Sequence, residues 1–509
     1  MSLLKKTNLV SMTSVAVLTT VIAVGCSNQQ ADPAATTPAN TGPLELSIAM
    51  PQVGEIPAKG NEVELAIEKY TNSKLNIQWI PLANYDEKIN VMIASNELPK
   101  ILKVNYTPVI RSDIQQNMFW EVGPLLNNYK NLKVQNPQYY ANIMVDGKLY
   151  GVPNYREIGR SAIVYRKDWL DKLGLKTPKT LDDWYNVAKA ITLNDPDGNS
   201  KNDTYGFVLD KKYNINLNAT SILTRMAVSQ GGVNTWGVDS SGKFTPEFMT
   251  QPFMDTMKLF KRMYAEKLIN QDFTSLESAD GDNQFEKGRV GIKVNGSATN
   301  AANIQDRLKK VVPTAELDIV NWEGTAGPRV AGQPGNNGLL VFPKSSVKNE
   351  AELKRILTFL DQLLDEPMST LQKRGIEGKH FKRNSDGTVE WLDLTAFNRE
   401  VKPYRDDLVN FETYNVPQLK DTPLAMKGYQ MEPAGLKFSI PNPALTLNST
   451  TYNDHGAELD QMIQDAETKY IIGKIDDAGF QSEVDRWLKA GGDKVIKEFQ
   501  DSYAALNKK

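Results

Sequence analysis

Leu44, Leu46, Ile48 and Met50 alternate with Glu45, Ser47 and Ala49. A period of two puts one set of side chains on one face, so the stretch predicts a strand. Val63, Ala66, Ile67 and Tyr70 follow at helical spacing. Residues 75–80 (LNIQWI) predict a second strand. Asn84 is placed as an N-cap, with Asp86 and Glu87 in the first turn and Ile89, Met92 and Ile93 on one face. Residues 101–104 predict a third strand. Strand, helix, strand, helix and strand in about sixty residues predict a parallel α/β sheet.

The alternation resumes downstream. Residues 161–165 predict a strand, and Thr180 caps a helix carrying Leu181, Trp184, Ala188 and Ile191. Residues 205–209 and 290–294 predict two more strands. The C-terminal part turns helical. Leu459, Met462, Ile463, Ala466 and Tyr470 line one face, and Phe480, Val484, Trp487, Leu488, Val495 and Phe499 line another, interrupted at Gly491-Gly492. Two polar, breaker-rich stretches, 152–160 (VPNYREIGR) and 324–338 (GTAGPRVAGQPGNNG), each precede an apolar strand. A chain crossing twice between α/β lobes predicts a hinged clamshell with its ligand site between the lobes.

The first residues follow another logic. Lys5 and Lys6 precede a run from 10 to 24 of apolar, Ser, Thr and Met residues, ending at Gly25 before Cys26. The run is too short and interrupted for a membrane span, and its layout is that of a signal peptide over 1–25. Cys26 is the chain's one cysteine. Ala23-Val24-Gly25-Cys26 resembles a lipobox, which implies a cysteine carrying acyl chains such as palmitate at the mature N-terminus. Residues 27–43 (SNQQADPAATTPANTGP) bury no core and suit a flexible tether. Two acyl chains suffice for stable anchoring, so the expected location is the outer face of the cell membrane.

Loss of residues 1–25 moves the formal charge from −2 to −4. A near-neutral chain carries no electrostatic footprint for nucleic acid. About 480 mature residues exceed what one hydrophobic core supports. A single cysteine excludes a disulfide framework within the chain. The two histidines, His380 and His455, have no ligand-spaced neighbour, and there is neither a GxxxxGK[ST] loop nor a GxGxxG fingerprint. No catalytic residue is assigned.

The stretches YDEKINVMIASNELPKIL (85–102), VDGKLYGVP (145–153), YRKDWLDKLGLKTPKTLDDW (165–184), DPDGNSKNDTYGF (195–207), YAEKLINQDF (264–273), FEKGRVGI (285–292) and RGIEGKHF (374–381) share an order and spacing with a known family. Through them the chain resembles extracellular solute-binding protein family 1, the carbohydrate-binding lipoproteins of ABC importers, and its long calcium-containing members above all. The resemblance implies a periplasmic-binding-protein-like clamshell and a monomer. It also implies an oligosaccharide ligand, ABC permease transmembrane subunits as partners, and no enzymatic activity. Lobe 1 is placed at 44–157 and 338–395, lobe 2 at 158–337 and 396–509.

Asp195, Asp197, Asn199, Lys201 and Asp203 stand at every second position. Calcium takes six to eight oxygens, and short acidic and amide side chains on a tight loop deliver them, with Lys201 offering its carbonyl. Ser200 replaces the EF-hand glycine, and Gly206 stands where that motif has Glu. In the similar binding proteins an acid follows the residue matching Asp203; here it is Thr204, whose hydroxyl, or a water, is left to complete a structural Ca2+ site. The same residues also suit a plain turn.

Sugars offer apolar faces to aromatic rings and hydroxyls to polar side chains. The candidates near the crossings are Trp236, Trp322, Tyr155, Arg156, Arg160, Asn336 and Asn337. Arg156 and Arg160 together favour an acidic sugar, because guanidinium pairs with carboxylate. Two alternatives stay open: a secreted carbohydrate-active enzyme using a pair among the 61 acidic residues, and a peptide-binding or sensory lipoprotein on the same fold.

Overall fold

The computed structural model describes residues 42–214, 219–412 and 414–507. The signal segment, Cys26 and nearly all of the tether lie outside the described residues. Residues 43–509 form one compact unit. Its two principal sheets use β1 (Leu44–Gln52), β2 (Ser73–Pro81), β3 (Ile101–Val104), β4 (Gly151–Tyr155), β5 (Ser161–Arg166), β6 (Ile292–Ser297), β7 (Leu317–Val320) and β8 (Asn336–Val341).

The first sheet runs β2-β1-β3-β8-β4. β1 is parallel to β2 and β3, as the opening pattern predicts. β8 is antiparallel to both β3 and β4, so the sheet is mixed. Local alternation cannot foresee a strand arriving more than two hundred residues later. The helix Glu62–Thr71 is fixed by Asn61, whose side chain accepts from Val63 N and Glu64 N, and ends at Asn72 in the left-handed region. Asn84 makes no capping bond; a 3-10 turn, Leu82–Asn84, occupies the place of the cap.

The second sheet runs β6-β5-β7, all antiparallel. Thr180 and Asp183 form a capping box at the helix Leu181–Leu193. Residues 205–209 are not a strand. Tyr205 makes one bridge to Val290, and the backbone of Leu209 instead bonds the Asn270 side chain through both its N–H (2.8 Å) and its carbonyl (3.0 Å). An Asn side chain satisfies one buried peptide where a neighbouring strand would have satisfied a row. The strand expected over 290–294 begins at Ile292. At the C-terminus, Thr450–Ile471, Asp477–Trp487 and Asp493–Asn507 are helical. The break falls at Gly491, φ 130°, and a Cβ on Gly492 would stand 2.2 Å from the Trp487 ring.

Each lobe has its own core. Leu46, Ile48, Met50, Leu102, Val152 and Leu340 share one with Leu353, Leu360, Phe397, Val401, Tyr404, Leu408 and Phe411. The first lobe therefore runs on through Phe411 instead of ending at 395, because the helix Leu394–Glu400 turns Phe397 inward onto Trp391, with ring centroids 4.8 Å apart. The second lobe gathers Trp184, Phe207, Phe253, Phe260, Trp322, Tyr470 and Trp487, with a satellite cluster around β5 and β7.

Candidate functional site

The expected crossings are where the chain leaves one core for the other: Ile158 belongs to the first and Ala162 to the second lobe's, Val330 to the second and Leu339 to the first. A third crossing, between Phe411 and Leu424, carried no sequence signal. Residues 435–440 then lie against the first two. Val330–Ala331 pairs in parallel with Ser439–Ile440, Gly332 N donates to Ile440 O (3.0 Å), and Gln333 N to Ile158 O (3.0 Å). Asn234 ties the strands together, donating to Gly332 O (2.9 Å) and Ile440 O (2.7 Å). Gly159 and Gly435 meet backbone to backbone; a Cβ on Gly159 would stand 2.2 Å from the Gly435 carbonyl carbon. Only glycine allows that approach.

Between the lobes at this hinge lies a cavity of about 460 Å3. The first lobe gives it Asn154, Tyr155, Arg156 and Glu157 from β4 and the residues after it, together with Lys373, Arg374, Trp391, Arg405 and Phe411. The second gives Arg160, Thr299, Tyr429 and Glu432. Tyr155 is a fixed wall: it stacks on Phe411 (centroids 5.3 Å apart), takes the edge of Tyr139 (5.5 Å), and its hydroxyl lies 2.7 Å from that of Tyr140. A stacked pair held this way is a preformed apolar face beside polar groups.

Arg156 and Arg160 both line the cavity. Arg156 is exposed and Arg160 half-buried. Among the described residues neither side chain has a hydrogen-bonded carboxylate. Burial lowers Arg160, offset in part by Glu432. Glu432 is itself engaged by Thr299 N (3.0 Å) and Thr299 Oγ1 (2.9 Å). Behind Arg160, buried Arg225 is pushed down to about 9 by desolvation, with Arg160 as a like charge. It is held by the carbonyls of Ala219 (3.2 Å) and Val294 (3.1 Å).

Of the other candidates, Asn337 lines the cavity and Asn336 does not. Asn336 pairs with Tyr155 across the strands and accepts from Gly338 N, which shapes the turn. Trp236 and Trp322 are corrected to core residues. Trp322 is fully buried, stacked 5.5 Å from Trp184, and Trp236 meets Phe499 edge-on at 5.1 Å. Lys373, Arg374, Trp391, Arg405, Phe411, Tyr429 and Glu432 were not foreseen; of these only Arg374 lies in a family-like stretch, RGIEGKHF, which says nothing of the cleft. His380 is buried, with Nδ1 accepting from Ile376 N (2.9 Å), and His455 sits exposed beside Glu458. Neither lines the cleft.

The 195–203 loop is a tight turn with Asp195, Gly198 and Ser200 at positive φ. Asn199 Nδ2 donates to Asp197 Oδ2 (2.9 Å) and Asp203 Oδ1 (3.1 Å), while Asp195 accepts from the N–H groups of Asn199 (3.0 Å) and Ser200 (2.9 Å). Burial and the adjacent Asp195 hold the Asp197 carboxyl above its usual range. Among the described residues no three His, Cys, Asp or Glu side chains are grouped to hold a metal ion. Thr204 is turned away from the loop: its hydroxyl donates to Ile191 O at 2.7 Å.

Residues 56–367 match the model of the bacterial extracellular solute-binding proteins. The chain is 36% identical over 446 residues to the polygalacturonan/rhamnogalacturonan-binding protein YtcQ of Bacillus subtilis, covering 86% of this chain and 87% of that one. It is 34% identical over 497 residues to lipoprotein LipO of the same organism, covering 96% and 97%. Its backbone resembles an HMO-binding, ABC-transporter associated solute-binding protein of Bifidobacterium longum infantis. That likeness has a TM-score of 0.73 at 16% identity and covers 92% of this chain and all of that one.

Proposed function

The chain belongs to the bacterial extracellular solute-binding proteins, and on that premise we propose that it captures an acidic oligosaccharide between its lobes for an ABC importer. The observation that carries the reading is the pair Arg156 and Arg160 beside the Tyr155–Phe411 stack in a cavity shared by both lobes. Guanidinium groups with no hydrogen-bonded carboxylate among the described residues suit a uronate, and the stacked rings suit a sugar face. The name of the relative YtcQ, a binder of polygalacturonan and rhamnogalacturonan, points to the same chemistry. The relative LipO is named a lipoprotein, which supports Cys26 as the acylated anchor on the outer face of the membrane. The ligand favours the closed arrangement because only there do both lobes contact it.

The expected result is a rise in melting temperature with oligogalacturonates or related acidic glycans, by about 2.7 kcal/mol of added stability at a hundredfold excess over Kd. The glycan should be recovered uncut, which separates binding from cleavage. A shift with peptides alone would reject the sugar reading.

We also propose a structural Ca2+ in the 195–203 loop. The support is its donor set: the Asp197 and Asp203 carboxylates already converge on one group, the Asn199 amide. Rotation of that amide would turn its oxygen to the same point, with Asp195 and the Lys201 carbonyl at hand. Water, not Thr204, would complete the shell. Chelator-treated protein should bind one Ca2+ below millimolar and melt higher with it, and Asp197→Ala should abolish both. A titration showing no binding below millimolar would reject the site.

A further inference from the structure

Arg156 and Arg160 are not the cleft's whole positive charge. Lys373 and Arg374 end the helix Glu366–Arg374 and line the same cavity. Glu412 stands between them unequally: one oxygen lies 2.6 Å from Arg374 Nη2, the other 3.7 Å from Lys373 Nζ. The second distance is too long for a hydrogen bond. The other nearby acid, Asp406, is taken. It accepts from Arg405 Nε and Nη2 (2.9 and 2.7 Å) and from Lys402 Nζ (2.6 Å). The Lys373 side chain is only 15% exposed. Its ammonium is therefore mostly out of water, flanked by the like charges of Arg374 and Arg405. Among the described residues it has no hydrogen-bonded acceptor.

A buried charge without full pairing is costly, and an incoming carboxylate supplies what is missing. The strain shows in the ammonium itself, which burial pushes down to about 8 despite Glu412. Lys373 comes from the end of a first-lobe helix, whereas Arg156 and Arg160 come from the crossing after β4. A cavity of about 460 Å3 falls in the size range that encloses a drug-sized ligand, larger than one sugar ring needs.

We propose that Lys373 forms a second carboxylate subsite, separate from Arg156 and Arg160, so that the cleft selects oligosaccharides bearing two uronate residues over those bearing one. This rests on the acidic-glycan reading above.

The test is calorimetry with galacturonic acid, digalacturonate and the dimethyl ester of digalacturonate. It uses the wild type, Lys373→Met and Lys373→Arg. The wild type should bind digalacturonate about 10- to 100-fold more tightly than the monomer, the range expected for one desolvated charge pair, and should bind the diester, which has lost both charges, more weakly still. Lys373→Met should lose that gain while keeping its affinity for the monomer, and Lys373→Arg should restore most of it. A folded Lys373→Met that keeps the full gain overturns the subsite alone, leaving the acidic-glycan reading intact. A wild type that binds neutral glycans and neither uronate removes that reading, and the subsite with it. Should Lys373→Met fail to fold, the monomer decides on the wild type: digalacturonate binding no tighter than galacturonic acid overturns the subsite and leaves the acidic-glycan reading standing.

Discussion

Replacing both Arg156 and Arg160 by alanine should weaken oligogalacturonate binding by about a hundredfold to a thousandfold and leave the fold intact. Both side chains line the inter-lobe cavity, and among the described residues neither has a hydrogen-bonded carboxylate, although Glu432 attracts Arg160. When the lobes close, water leaves and each charge pair gains from the lower effective dielectric. Truncating one partner of a desolvated charge pair costs about 2–5 kcal/mol. The half-buried Arg160 should contribute more than the exposed Arg156. Stability should not suffer, because losing Arg160 relieves its repulsion with buried Arg225. Methyl-esterified ligand, which has no charge to pair, should bind both forms alike. Titration calorimetry at two salt concentrations measures all of this. Unchanged affinity for the free acid in a folded double variant would remove the acidic-sugar reading.

How far the sequence reaches depends on the range of the interaction that places each residue. β1, β2 and the first helices are set by neighbours in the chain, so alternation and helical spacing disclose them; of the two expected caps Thr180 holds and Asn84 does not, while Asn61, which caps the first helix, was not foreseen. Arg156 and Arg160 were legible because the crossing that carries them is itself a local signal, a breaker-rich stretch between two strands. Lys373, Trp391 and Phe411 reach the same cavity through helices whose spacing looks like that of any other surface or core helix. Nothing local distinguishes Lys373 from the other lysines; what singles it out is that Glu412 bonds Arg374 instead. Trp236 and Trp322 mislead for the converse reason. Glycine neighbours let a ring turn either way, and only the packing on Phe499 and Trp184 decides that it turns in. Residues 205–209 have a strand's composition, yet Asn270, sixty-one residues downstream of Leu209, takes the place of the partner strand.

The protein should become less stable as pH rises from about 4.5 to about 8, and Glu247→Gln should remove the share of that loss that Glu247 contributes, the raised carboxyls of Glu467, Asp407 and Asp460 keeping theirs. Glu247 is 2% exposed, and desolvation pushes its carboxyl up to about 8, against Thr224 and the backbone of Thr235, which lower it. The folded value lies above the unfolded one. Below pH 4.5 both states hold the proton; between 4.5 and 8 the folded state holds more protons than the unfolded, so stability falls as pH rises. A shift of that size corresponds to at most about 5 kcal/mol at 1.36 kcal/mol per unit. The neutral acid accepts from Thr235 N through one oxygen (3.2 Å) and meets the Thr224 hydroxyl through the other (2.8 Å). Glutamine reproduces this arrangement, its oxygen facing Thr235 N and its NH2 donating to Thr224 Oγ1. The variant should therefore match the wild type at pH 4 and melt on the order of 3 °C higher at pH 8, since a chain this long has a large unfolding entropy. Melting curves of both proteins across that range measure the difference. A gap that does not widen with pH would mean that Glu247 folds as a carboxylate, and that the polar cluster around Thr224 and Thr235 offsets the cost of burying the charge.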